Sequence, residues 1–268
     1  MVDIKDRQLI LGDCETELQT LIDNGVLVDL TVTSPPYDTL RSYSGELVWD
    51  FEKFKKIADL LYKITRDGGV VVWVVGDETK KGSESLSSFK QAIYFKEIGF
   101  NVHDTMIYKK ANPIPQNHNR YEQCFEYMFV FSKGRPNTFH PIMVDTKHGG
   151  HKYDWGRENK MDDKQCRRVR GTDVITVKSQ KIHENIFEYS IGGDKMGHPA
   201  VFPYQLAEDM VKSWSNEEDV VLDPFMGSGT TGLACVNNNR KFIGIEIYDK
   251  FFEMSKARLK NTNTAKLF

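Results

Sequence analysis

Two spacings of apolar residues alternate along this chain, and each change of spacing marks the end of an element. Residues 8–11 form a short apolar run closed by Gly12-Asp13, and residues 15–24 suit a helix. Residues 28–33, Val-Asp-Leu-Thr-Val-Thr, are rich in β-branched side chains and predict a buried strand. Across 51–66 the apolar positions Phe54, Ile57, Ala58, Leu61 and Ile64 share one helical face, and Asp67-Gly68-Gly69 stops the helix. The unbroken run of six apolar residues at 70–75 predicts a strand covered on both faces. A helix over 86–98 and strands over 105–109 and 127–131 follow, the two strands flanking a polar loop. Periodicity then fades, and glycine and polar residues dominate to about residue 197. Regular pattern resumes with a helix over 203–214, a strand over 220–223, a helix over 229–237, a strand over 242–247 and a helix over 250–259. Strands alternating with helices on both sides of an irregular stretch predict an α/β fold, a doubly wound and mostly parallel sheet. An insertion over 135–196 divides it into halves at 1–134 and 197–268.

Composition adds one asymmetry. The 268 residues carry a net charge of −2, yet residues 133–181 hold twelve basic side chains against six acidic ones. A solvated surface insertion and a surface for phosphates both satisfy that surplus of six. Cys14, Cys124, Cys166 and Cys235 are far apart with no CxxC pair, which fits reduced thiols in a cytoplasmic compartment. The first residues, MVDIKDRQLI, have no apolar signal region, and the run at 70–75 is too short to span a bilayer.

The second half carries a strand, a glycine turn and a helix in Val220-Val-Leu-Asp-Pro-Phe-Met-Gly-Ser-Gly-Thr-Thr-Gly232. Gly227, Gly229 and Gly232 satisfy GxGxxG, and Glu246 ends the next strand where a ribose-binding acid belongs. Taken literally this is a nicotinamide-dependent oxidoreductase. Asp223 argues otherwise, because a pyrophosphate at the strand's mouth would meet a like charge. S-adenosylmethionine has no phosphate, and its ammonium favours a carboxylate there. The N–H groups of the turn through Gly227, Ser228, Gly229, Thr230 and Thr231 suit its carboxylate. Phe225 supplies an apolar wall, Glu246 the ribose acceptor, and Asp13 an acceptor for the adenine amine. Asp223 as a plain turn former before Pro224, and Asp13 as a plain turn residue, remain alternatives.

The strand over 28–33 ends in an unusual way, in Val32-Thr-Ser-Pro-Pro-Tyr37. Two prolines remove two backbone donors and fix φ, and Ser34 is held extended before them. The result is a stiff edge of free carbonyls with a hydroxyl before it and an aromatic ring after it.

These motifs together resemble the beta group of the DNA amino-methyltransferases. The resemblance rests on LGDC (11–14), TSPPY (33–37), DGGVVVWVVGD (67–77), IYKKANPIP with NRYEQCFEYMFVFSKG (107–134), GHPAVFPYQLAEDMV (197–211), DPFMGSGTT (223–231) and FIGIEI (242–247). It implies a seven-stranded sheet with an antiparallel edge hairpin, a catalytic half, a target-recognition insertion and a cofactor half. It implies duplex DNA as partner and methyl transfer to an exocyclic amine by direct in-line attack, without a metal. The Ser34 hydroxyl and Pro35 carbonyl then accept from the amine, Pro36 stiffens the edge, and Tyr37 stacks on a flipped base. By the same resemblance His198 and Phe202 close over the methionine end of the cofactor. Arg41, Arg120, Arg167, Arg168 and Arg170 are candidate DNA contacts, phosphates before bases. Ser-Pro-Pro-aromatic accompanies cytosine N4 in this family more often than adenine N6, and both bases stay open. Methylation at cytosine carbon 5 is disfavoured, since no cysteine here follows a proline. Phe125 stands where the family usually has His. His148 and His151 read as a polar turn rather than a metal site. A cognate restriction endonuclease, a solitary role, and monomer or homodimer are all compatible with the resemblance.

Overall fold

The alternation of strands and helices folds into one nine-stranded sheet in the computed structural model, which describes residues 2–3, 7–36, 49–113, 119–154, 157–158, 168–169, 174–190 and 203–261. Its strands in chain order are β1 (Val2–Asp3), β2 (Arg7–Leu11), β3 (Val28–Thr33), β4 (Thr65–Val75), β5 (Asn101–Lys110), β6 (Phe125–Ser132), β7 (Ile186–Tyr189), β8 (Val220–Asp223) and β9 (Lys241–Glu246). Across the sheet they run β1-β2-β9-β8-β3-β4-β6-β5-β7. The five central strands β2, β9, β8, β3 and β4 are mutually parallel, so all five present their carboxyl ends at one edge. β6 runs antiparallel to both β4 and β5.

The seven expected strands are all present, and two short ones extend the sheet. β1 pairs antiparallel with β2, and β7 pairs parallel with β5, so the β5–β6 hairpin is not the outermost layer. β7 comes from within the stretch read as insertion. Its alternation, Phe187 and Tyr189 buried with Ile186 and Glu188 exposed, spans only four residues of a polar segment.

The helices are α1 (Cys14–Asp23), α2 (Phe51–Ile64), α3 (Ser87–Glu97), α4 (Tyr204–Trp214), α5 (Thr230–Asn237) and α6 (Asp249–Asn261). α2 buries the predicted stripe Phe54, Ile57, Ala58, Leu61 and Ile64 against Trp73 and Phe95. It stops two residues earlier than its pattern predicts, because the Thr65 hydroxyl donates to the Leu61 carbonyl and the Lys133 ammonium takes the carbonyls of Tyr62 and Thr65 at 3.0 and 2.9 Å. The glycines at 68 and 69 are then absorbed into β4. Among the described residues no helix is long and apolar enough to cross a membrane.

The chain divides into two compact units, Met1–His140 with Asn185–Phe268, and Pro141–Glu184. The smaller unit is built from nested antiparallel pairs: Met143–Asp145 with Gln180–Ile182, Lys152–Asp154 with Val174–Thr176, and Arg157–Glu158 with Arg168–Val169.

Candidate active site

Parallel pairing brings the ends of β2, β9, β8 and β3 side by side, and with them Asp13, Glu246, Asp223 and Ser34. Neighbouring strands lie about 4.8 Å apart, so side chains at adjacent ends touch. The Thr33 hydroxyl donates to Asp223 Oδ1 at 2.7 Å, across 190 residues of sequence. The Thr231 hydroxyl donates to the Val32 carbonyl at 3.3 Å. The residues on the N-terminal side of Ser34 are thus tied to the glycine turn. Pro35 is buried, while Ser34 and Pro36 are half-buried.

Asp223 is only 5% exposed. Burial pushes its carboxyl up to about 6, against the pull of hydrogen bonds from the Thr33 hydroxyl and the Phe225 N–H. Glu246 is buried beside it and raised for the same reason, although the N–H groups of Tyr248 and Gly227 donate to its two oxygens at 2.9 and 2.8 Å. Each carboxylate oxygen keeps a further lone pair for a ligand hydroxyl. Neither acid has an ion-pair partner among the described residues.

Gly229 caps α5 with φ +78°, a left-handed conformation natural to glycine, and a Cβ there would lie 2.9 Å from that of Ser255. The first turn of α5 has no side-chain cap, so its N–H groups face the turn's mouth. Phe225 sets its ring edge-on to Trp49 at 5.3 Å and to Trp73 at 6.2 Å, which fixes the wall it forms.

Asp13 caps α1 through the N–H groups of Glu15 and Thr16 and pairs with Lys53 at 3.0 Å. That is the turn role left open for it, reinforced by an ion pair. Arg120 donates to the Gly82 carbonyl and to Glu84, so it braces a short hairpin rather than standing alone. Tyr37, Arg41, Arg167, Arg170, His198 and Phe202 lie outside the described residues, and Arg168 is described only as part of a strand. His148 and His151 set their rings edge to face at 5.6 Å, and no group of three metal-binding side chains occurs among the described residues.

Three contributors escaped the sequence. Thr33 has no signal apart from its place in the motif. Arg258, near the end of α6, reaches the Ser228 carbonyl at 3.3 Å and the Thr230 hydroxyl at 3.2 Å, bracing the turn from below in sequence order. Asp77 accepts from the Ser88 N–H at 2.9 Å and from the Ser87 hydroxyl at 3.1 Å, capping α3 from the end of β4. Burial raises the Cys14 thiol to about 12 and lifts Cys235 well above the usual range, so neither is a ready thiolate.

A model of a DNA methylase family, the N6/N4 methyltransferases, matches residues 28–257. The orphan methyltransferase M.BamHII of Bacillus amyloliquefaciens is 50% identical over 244 residues, covering 87% of this chain and 89% of that protein. The type II methyltransferase M.SmaI of Serratia marcescens is 25% identical over 96% of this chain and 92% of its own. Among solved structures, the M1.HpyAVI–SAM complex aligns with a TM-score of 0.63 at 26% identity, over 94% of this chain and all of that one. The cytosine-N4-specific PvuII DNA methyltransferase aligns with a TM-score of 0.68 at 20% identity, over 94% and 86%, a likeness of fold.

Proposed function

The chain belongs to the N6/N4 DNA methylase family, and from that premise we propose that it methylates cytosine N4 in duplex DNA, using S-adenosylmethionine. The observation that carries the site assignment is the 2.7 Å bond from Thr33 to Asp223, which sets the proline edge against the cofactor turn.

The residues fit this cofactor. Two buried carboxylates without cationic partners among the described residues disfavour a diphosphate, and they suit an ammonium and a ribose diol. When bound, S-adenosylmethionine supplies a methyl group on a sulfonium. In this reading Asp223 holds the ammonium side and Glu246 takes the ribose hydroxyls. Phe225 walls the pocket, and the turn from Gly227 through Ser228 and Gly229 to Thr230 and Thr231 brings the start of α5 to the carboxylate, with the Gly227 N–H holding Glu246 in place. Asp13 lies just beyond the end of β2, and His198 and Phe202, outside the described residues, are assigned to the methionine end by the family motif.

An exocyclic amine is a poor nucleophile because its lone pair is delocalised into the ring. The Ser34 hydroxyl and Pro35 carbonyl accept its hydrogens, draw the nitrogen towards tetrahedral geometry and offset the positive charge that grows there. Pro35 and Pro36 hold those acceptors without reorganisation, and Tyr37 stacks on the flipped base. The unit Pro141–Glu184, with Arg167, Arg168 and Arg170 in its sequence, supports a target-reading role for the insertion. Arg41 is assigned to the same DNA.

The test is expression in a host without DNA methylation, followed by nucleoside mass spectrometry of its DNA. N4-methylcytosine is the expected product. N6-methyladenine would overturn the base assignment and keep the amine chemistry, and absence of both would overturn the assignment as a whole. Ser34→Ala is expected to lower kcat at least a hundredfold with cofactor affinity unchanged, read by single-turnover assay and calorimetry.

A further inference from the structure

Beyond β4 the chain runs through Gly76 to Glu78 and then forms a hairpin, Thr79–Lys80 paired with Ser83–Glu84, before entering α3. We propose that the tip of this hairpin, Lys80 and Lys81, is a DNA-backbone contact beside the catalytic edge. The inference rests on the methyltransferase reading and adds a contact to it.

Position comes first. β4 is parallel to β3, with Thr33 opposite Trp73, so the hairpin rises from the same sheet edge as Ser34 and one strand over. Only Gly76–Glu78 separate Val75 from the hairpin, so it stands beside the sheet edge at which a flipped base would enter.

Rigidity comes second. Lys81 and Gly82 have φ +51° and +81°, the two left-handed positions of a tight two-residue hairpin turn. The Ser85 N–H closes the base of the hairpin on the Glu78 carbonyl at 2.8 Å. Asp77 fixes its root through Ser85, Ser87 and Ser88, and Arg120 grips it from the β5–β6 loop through the Gly82 carbonyl and Glu84. A loop with no ligand has little need of three separate anchors.

Charge comes third. Glu84, on the returning strand, is paired with Arg120, and Asp77 at the root accepts from serines, whereas Lys80 and Lys81 are exposed and have no ion-pair partner among the described residues. Two unpaired ammonium groups on a stiff arm suit phosphate oxygens, which position a duplex without reading its sequence. Arg120, expected to touch DNA itself, becomes a positioning residue for that arm.

The experiment compares the unaltered protein with Lys80→Gln/Lys81→Gln on a mixed-sequence 30-base-pair duplex, measuring affinity by fluorescence anisotropy across a salt series. A control double variant, Lys63→Gln/Lys241→Gln, removes the same charge from the opposite edge of the sheet. Loss of two phosphate contacts should reduce the slope of log affinity against log salt by about 1.8 and weaken binding roughly thirtyfold at 0.15 M salt. Cofactor affinity by calorimetry and kcat at saturating DNA should be unchanged, and the control should keep the full slope. An unchanged slope in the Lys80/Lys81 variant, or an equal fall in both variants, would overturn the contact. Failure of the unaltered protein to bind or methylate DNA is a separate outcome, which removes the methyltransferase reading and the contact with it.

Discussion

Asp223 is held in a position that costs the protein stability. Its folded carboxyl titrates at about 6 against an ordinary 3.8, so the folded state binds that proton more tightly than the unfolded chain. Stability contributed by this group is therefore present at low pH and lost as pH rises from about 4 to about 6, a penalty of about 3 kcal/mol at pH 7. Glu246 and the Cys235 thiol face the same carboxylate and add no compensating positive charge. Asp223→Asn should accordingly raise Tm at pH 7.5, with little gain at pH 4, while abolishing S-adenosylmethionine binding; scanning calorimetry with and without cofactor reads both effects. The amide oxygen can still accept from Thr33 and the Phe225 N–H, both of which use one oxygen in the native carboxylate. Cofactor affinity of the native protein should fall as pH drops through about 6. Thr33→Val removes a donor that favours the charged form, so the midpoint of that loss should move upward. At this scale the sequence was informative where chemistry is local. The two acids end apolar strands and the hydroxyl precedes two prolines. It said nothing of Thr33 on Asp223 or of Arg258 on Ser228, since those pairings exist only once strands β3 and β8 lie together and α6 has packed.

Among the elements, the glycine turn depends most on one backbone conformation. Gly229→Ala would put a Cβ within 2.9 Å of Ser255 and force an L-residue to φ +78°, at a cost of about 1–2 kcal/mol before any neighbour shifts. Lower Tm and at least tenfold weaker cofactor binding are expected, measured by thermal melts and calorimetry. Most elements were visible in advance because their apolar spacing is long enough to be unambiguous: α2 shows a full stripe, and β4 an unbroken run. β7 is an exception with a physical reason: it offers only four alternating residues, and what makes it a strand is the open edge of β5. α3 was legible over 86–98, but its cap was not: Leu86 before it is left-handed with no side-chain cap, and the capping carboxylate comes from Asp77 nine residues earlier. No local capping rule finds such a donor–acceptor pair.

For the molecule as a whole, the order of strands explains why motifs so distant in sequence form one site. β3 and β8 are neighbours, and both end at the edge where a doubly wound sheet binds its ligands. The smaller unit, Pro141–Glu184, is closed at its own base. Its outgoing and returning chains meet, with the His183 N–H donating to the Ile142 carbonyl at 2.9 Å directly before the Met143–Asp145 and Gln180–Ile182 pair. Entry and exit are therefore a single seam. Excision of residues 143–182 with an Asn-Gly closure should leave the sheet folded and cofactor binding intact, checked by circular dichroism and calorimetry, while sequence-specific methylation disappears. A seam of this kind makes the unit a cassette: one length of chain can be exchanged for another of different length without altering a single strand register. On the proposed target-reading role, new DNA specificities would be acquired by grafting, while the chemistry proposed for the proline edge would be inherited unchanged.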